Sequence, residues 1–178
     1  GVFTTRGVDL GRLFRQLFGK DGGFTKGRDR TFHFGLLDKR IVGMISHLGA
    51  MLPVADGLAL AARLKSEASV AAAFTGDGAT SEGDFHEALN FAAVFNAPVV
   101  FFVQNNEYAI SVPLARQSVA PSLAHKGVGY GVRGERVDGN DAAALLAVLG
   151  DAVARARAGE GPQLVEAHTY RMQAHTNA

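Results

Sequence analysis

An aspartate flanked by glycines, Gly76-Asp77-Gly78, stands 106 − 77 = 29 residues ahead of the second asparagine of Asn105-Asn106. A carboxylate and an amide oxygen are hard donors, and Mg2+ takes only a few such protein groups while phosphate oxygens and water complete its octahedron. Asp77 and Asn106 are therefore read as ligands of a Mg2+ ion that bridges the protein to a phosphorylated ligand. Gly76 and Gly78 let the backbone approach that ligand closely. The amides that open a helix after Gly78 would turn the positive end of its dipole toward the phosphates. Taken singly, each residue has a plainer explanation, since an aspartate before a helix caps it and an asparagine after a strand makes a turn. The pair at this spacing favours the metal.

For the two groups to meet, each has to follow its own strand, and the pattern around them supplies that. Residues 70–75 form a short apolar run that ends at Gly76, and residues 98–103 form a continuous one, as in a parallel strand covered on both faces. Between them, Ser81 and Asp84 resemble a capping box opening a helix that runs to Phe95. Upstream, residues 8–18 read as a helix with Leu10, Leu13, Phe14 and Leu17 on one face, followed by a polar, Gly-rich loop over 20–30 and a β-like stretch at 40–45. Pro53 opens an Ala/Leu-rich helix to Lys65 that is expected to be buried on most sides. Downstream come a short strand at 135–137, a helix capped by Asp141 that runs to Ala158, and a last strand at 163–170. Alternating strands and helices on short loops imply the α/β class, an open and mostly parallel sheet with helices on both faces, whose ligands sit beyond the carboxyl ends of the strands.

Composition agrees with a single folded domain over 1–178, at 47% hydrophobic and 20% charged residues. Lysine and arginine number 18 against 17 acidic residues, so no basic field exists to track a nucleic acid. The chain has no cysteine, which removes thiolate zinc sites, disulfides and cysteine nucleophiles and favours a cytoplasmic setting. No apolar run approaches the roughly 20 residues of a membrane span, and no secretory pattern opens the chain. Glycine is in excess, 22 of 178 residues, against roughly 7% in ordinary proteins, and it gathers at the ends of the expected strands.

Gly-Asp-Gly followed at this distance by Asn-Asn resembles the signature of thiamine-diphosphate enzymes. With Asn105-Asn106-Glu107-Tyr108-Ala109-Ile110-Ser111 the chain is similar to the alpha portion of the first component of 2-oxo acid dehydrogenase complexes, of the branched-chain or pyruvate type. The likeness extends over Gly27-Arg28-Asp29-Arg30-Thr31-Phe32-His33-Phe34-Gly35, Ile45-Ser46-His47-Leu48-Gly49, Arg136-Val137-Asp138-Gly139-Asn140-Asp141 and Tyr170-Arg171-Met172-Gln173-Ala174-His175. It implies a thiamine-diphosphate-binding, transketolase-like fold, in a family whose chains extend further at both ends. It also implies Mg2+ held by Asp77, Asn106 and the backbone carbonyl of Tyr108. Gly76, Gly78 and Ala79 would lie at the diphosphate, Ser46 and Leu48 near the aminopyrimidine, and His33 and His175 near the reacting carbon. His86, His125 and His168 are read as structural or solvated. The implied reaction is oxidative decarboxylation of a 2-oxo acid, branched-chain favoured, with transfer of the acyl group to a lipoyl group on an acyltransferase component. The implied partner is a beta subunit or beta half that supplies a glutamate and the rest of the active site.

Two rival readings remain. Gly129-Tyr130-Gly131-Val132-Arg133-Gly134 matches the dinucleotide fingerprint of an NAD-dependent oxidoreductase, but it is not expected to follow a strand and open a helix as that fingerprint must. A non-catalytic assembly subunit of the same fold is the other, since fold does not fix function. Metal-dependent cofactor binding separates it from the first reading.

Overall fold

The computed structural model describes residues 1–29 and 31–175. Its helices are α1 (Val2–Thr5), α2 (Leu10–Leu17), α3 (Met51–Leu64), α4 (Gly83–Val94) and α5 (Ala142–Arg157). Its strands are β1 (Ala71–Gly76), β2 (Val99–Asn105), β3 (Tyr108–Ala109), β4 (Val112–Pro113), β5 (Arg133–Asp138) and β6 (Gln163–His168). The backbone gathers into two compact units, Gly1–His47 and a second that begins at Leu48.

In the first unit Asp9 caps α2, its carboxylate accepting the Arg12 amide at 2.6 Å. The buried face of α2 is formed by Leu13 and Gln16, whereas Leu10 and Phe14 are exposed, so the apolar stripe read from the sequence is only partly covered. Gln16 turns inward because its side chain holds Thr25 from both ends of the amide, closing the glycine-rich loop. Phe3, Phe24 and Phe34 stack, and the Arg12 guanidinium lies over the Phe24 ring. The expected β-like stretch at 40–45 reduces to one antiparallel bridge between Leu36 and Ile41. Arg40 sits in the left-handed region with φ 51°, and this turns the chain before a strand can extend.

The second unit is built on four parallel strands in the order β1-β2-β6-β5. One face packs Ala73, Val99, Phe101, Val103 and Leu164 against Leu52 and Ala59 of α3 and Phe85 and Leu89 of α4. The other packs Val100, Phe102, Val137 and Val165 against Ala152 and Ala156 of α5. Each fully buried Phe or Leu contributes about 1.5–3 kcal/mol of transfer free energy, which is why the continuous apolar run of β2 occupies an interior position. Helices thus cover both faces, as the alternating pattern requires. Asp141 caps α5 through the amides of Ala143 and Ala144, at 2.9 and 3.0 Å.

Two expectations about this unit need correction. The helix opened near Pro53 is not buried on most sides: its inner stripe is Leu52, Ala55, Asp56 and Ala59, while Val54, Leu58 and Leu64 are exposed. Ser81 and Asp84 do not form a capping box, because Gly78–Ser81 is a separate 3-10 turn and α4 starts after Glu82 with no side-chain cap. No helix among the described residues is long and apolar enough to cross a membrane.

Candidate functional site

Parallel pairing decides where the two candidate ligands emerge. Gly76 pairs with Gln104, and Asn105 pairs with His168, so β1, β2 and β6 all end at one edge of the sheet. Asp77 follows directly on β1, and Asn106 directly on β2. Asp77 is buried, 1% exposed, and begins the 3-10 turn without capping it. Its backbone carbonyl does the local work instead, accepting the Thr80 amide at 3.0 Å and the Thr80 hydroxyl at 2.7 Å. One carboxylate oxygen, Oδ2, accepts the amide nitrogen of Gln117 at 3.0 Å, and Oδ1 takes no hydrogen bond among the described residues. The capping explanation of this aspartate fails on that geometry.

The two asparagines separate by role. Asn105 is fully buried: its nitrogen donates to Glu166 Oε1 at 2.7 Å and its oxygen accepts the Glu107 amide at 2.9 Å. Glu166 also accepts the Ala124 amide at 2.9 Å, with Arg136 3.7 Å away, so this buried carboxylate is paired as burial demands. Asn105 is thereby consumed, and Asn106, half-buried, is left for a ligand; its oxygen accepts the Tyr108 amide at 3.2 Å and keeps a second lone pair.

Tyr108 lies in a small antiparallel hairpin, β3–β4, that the sequence did not reveal. Pro113 is its cross-strand partner and has no N–H, so no bond from that residue occupies the Tyr108 carbonyl. Glu107, which leads into the hairpin, has φ 68° and Ile110 in its turn φ 56°, conformations that cost about 1–3 kcal/mol each in residues other than glycine. Leu114 and Arg171 hold it there. The Leu114 amide donates to the Glu107 carbonyl at 2.8 Å, and Arg171 donates to the Ile110 carbonyl at 2.8 Å with its guanidinium 5.6 Å from the Tyr108 ring centre. The hairpin closes directly on the Gly-Asp-Gly turn, since a Cβ on Gly78 would stand 2.7 Å from that of Ala109. A Cβ on Gly76 would meet nothing within 4 Å.

The remaining sequence candidates fall in both units. His33 and Ser46 meet within the first, the imidazole Nε2 3.3 Å from the Ser46 hydroxyl and Nδ1 3.4 Å from Asp29. Leu48 in the second unit is exposed, and so is His175. Ala79 is buried behind the turn. Among the other histidines, His86 bonds Tyr130 at 2.7 Å, His168 pairs with Glu107 at 2.9 Å at the rim of the site, and His125 is exposed. Lys126, missed by sequence reasoning, donates to the Thr80 carbonyl and hydroxyl at 2.8 and 3.1 Å, and burial pulls its pKa down. Glu166 was missed too, although a charge inside the apolar run Leu164-Val165-Glu166-Ala167 signals a buried partner. Among the described residues no three His, Asp or Glu side chains gather in a metal-binding group, so the donors on offer are one carboxylate, amide oxygens and backbone carbonyls. The glycine-rich fingerprint runs from the end of the Ala124–Tyr130 3-10 segment through left-handed Gly131 into β5, so it follows no strand and opens no helix.

The family model described as "Dehydrogenase E1 component" matches residues 1–178. This chain belongs to the dehydrogenase E1 component family. It is 52% identical over 180 residues to the 3-methyl-2-oxobutanoate dehydrogenase subunit alpha of Mycobacterium tuberculosis, with 100% of this chain and 46% of that protein covered. To the alpha subunit of acetoin:2,6-dichlorophenolindophenol oxidoreductase of Bacillus subtilis it is 40% identical, with 98% and 53% covered. The chain therefore spans about half the length of these curated relatives. A solved structure from Mycobacterium smegmatis, described as a thiamin diphosphate-dependent enzyme, superposes with a TM-score of 0.56 at 26% identity over 71% of this chain and 23% of that one.

The residues of this E1-family chain fit a Mg2+-diphosphate group. Asp77 offers an unbonded carboxylate oxygen, Asn106 a lone pair and Tyr108 a carbonyl, all hard oxygens. The side-chain oxygen of Gln117, beside Asp77, is buried without a hydrogen-bond partner among the described residues. Gly76 opens the backbone to a close neighbour.

Proposed function

We propose that this chain is the Mg2+- and diphosphate-holding half of the decarboxylating component of a 2-oxo acid dehydrogenase complex. The observation that carries the reading is the Asp77 carboxylate, buried at the carboxyl edge of the sheet, with Oδ2 held by Gln117 and Oδ1 without a hydrogen bond among the described residues, in the Gly76–Gly78 turn on which the β3–β4 hairpin closes. Thiamine diphosphate, when bound, supplies the electron sink for loss of CO2 from a 2-oxo acid. The chain's own contribution is placement: Asp77, Asn106 and the Tyr108 carbonyl hold the cation, and Gly76, Gly78 and Ala79 admit the diphosphate. Ser46, Leu48, His33 and His175 take the roles the family resemblance gives them, the first two toward the aminopyrimidine and the histidines toward the substrate carbonyl. The acyl product passes to a lipoyl group on an acyltransferase component, and a beta subunit or beta half completes the site in a cytoplasmic assembly.

Branched-chain substrates are favoured, because the relative named for 3-methyl-2-oxobutanoate is 52% identical and the acetoin relative 40%. The test is to assay the assembled alpha/beta enzyme with 3-methyl-2-oxobutanoate, pyruvate and acetoin. The highest kcat/KM is expected for 3-methyl-2-oxobutanoate, and the chain alone should release no CO2 at enzymatic rates. A preference for pyruvate or acetoin would overturn the substrate choice, and turnover by the chain alone would overturn the two-part site.

A further inference from the structure

Gln117 reaches the site from a 3-10 segment forty residues beyond Asp77, and its amide bridges two elements. Its nitrogen donates to Asp77 Oδ2 at 3.0 Å and to the Val112 carbonyl in β4 at 2.9 Å. Both acceptors are oxygens that cannot donate, so the orientation of the amide is fixed by chemistry: the nitrogen faces Asp77 and the hairpin, and both its hydrogens are used. Oε1 is left buried with no hydrogen-bond partner among the described residues. A buried amide oxygen without a donor is costly, and this one belongs to the amide that holds a carboxylate with one oxygen open.

We propose that Gln117 is a positioning residue for the divalent cation. It locks the Asp77 carboxylate in one orientation and ties the hairpin carrying Tyr108 to it. This rests on the reading of Asp77 as a cation ligand. Mg2+ demands near-ideal octahedral geometry, whereas Ca2+ accepts more and looser oxygens. Loosening Asp77 and the hairpin together should therefore penalise Mg2+ more than Ca2+.

The test is titration of Mn2+ into the assembled alpha/beta enzyme with saturating thiamine diphosphate, free Mn2+ being counted by electron paramagnetic resonance and Mg2+ and Ca2+ compared by competition. Gln117→Met keeps the length of the side chain and removes both the donor and the oxygen. The expected result is Mn2+ affinity weaker by about 10–100-fold, the range for lost outer-shell partners, with the Mg2+/Ca2+ preference moved toward Ca2+. Gln117→Asn, which keeps the amide one methylene short, should fall between, and it decides the matter if the methionine variant fails to assemble. Wild-type affinity and preference in a folded Gln117 variant, alongside lost affinity in Asp77→Ala, would overturn the role of Gln117 alone. Wild-type affinity in Asp77→Ala would instead remove the cation site on which the proposal rests.

Discussion

Asp56 lies on the inner stripe of α3, fully buried, and neither of its carboxylate oxygens has a hydrogen-bond partner among the described residues. Burial pushes its pKa up to about 7 from the ordinary value of 3.8. Because the folded state holds the proton more tightly than the unfolded chain, the group favours folding fully below about pH 4, and the benefit is lost as pH rises through 7. Ionising it in place costs on the order of 2–4 kcal/mol. Asp56→Asn should therefore abolish most of the fall in thermal stability between pH 5 and pH 8 and raise the midpoint at pH 8. Parallel pH profiles for variant and wild type, followed by circular dichroism, would show that the carboxylate finds a partner in the folded protein. Asp56 differs in this from Glu166, whose oxygens meet two donors 2.7 and 2.9 Å away. Gln117 could not be read from the sequence at all, since nothing local marks a contact forty residues away. Asp77 and Asn106 could, because each directly follows an apolar run.

The elements that were legible are those whose local signals agree with their packing. The run in β2 is apolar because helices cover both its faces, and Asp141 caps α5 as its type suggests. The hairpin β3–β4 gave no such signal: its strands are two residues long, and Glu107 just before it and Ile110 in its turn, not glycines, take positive φ. Its tertiary anchor, Arg171, lies sixty-one residues beyond Ile110 in the chain. The Ser81 cap was misread for a related reason, as the 3-10 turn behind Asp77 occupies the positions a first helical turn would need. If the cofactor binds as proposed, substitutions at the two glycines around Asp77 should separate hairpin packing from cofactor access. Gly78→Ala must displace Ala109 and the hairpin, so it should weaken cation binding and raise amide hydrogen exchange across residues 108–112. Gly76→Ala meets nothing in the chain itself, so it should keep wild-type exchange and thermal stability while cofactor affinity falls. Equal effects of the two substitutions on exchange would contradict this division, and wild-type cofactor affinity in Gly76→Ala would take Gly76 out of the cofactor site.

On the scale of the second unit, the edge strand β1 leaves Phe74 55% exposed, and the outer faces of α3 and α4 show Val54, Leu58, Phe91, Val94 and Phe95 to solvent. So much apolar surface is unusual for a chain that works alone, and it agrees with the proposal that the active site is completed by other protein. In that proposal the chain's share of the site is a cation cradle at the carboxyl edge of the sheet, where the residues following β1 and β2, Asp77 and Asn106, and the hairpin residue Tyr108 would hold the ion. The most direct test of this cradle is calorimetric titration of thiamine diphosphate into the assembled alpha/beta enzyme, wild type against Asp77→Ala, with Mg2+ present and with it removed by a chelator. Wild type should bind tightly only with Mg2+, and Asp77→Ala should lose that Mg2+-dependent binding while its thermal unfolding stays close to wild type. Wild-type, Mg2+-dependent affinity in Asp77→Ala would contradict the account.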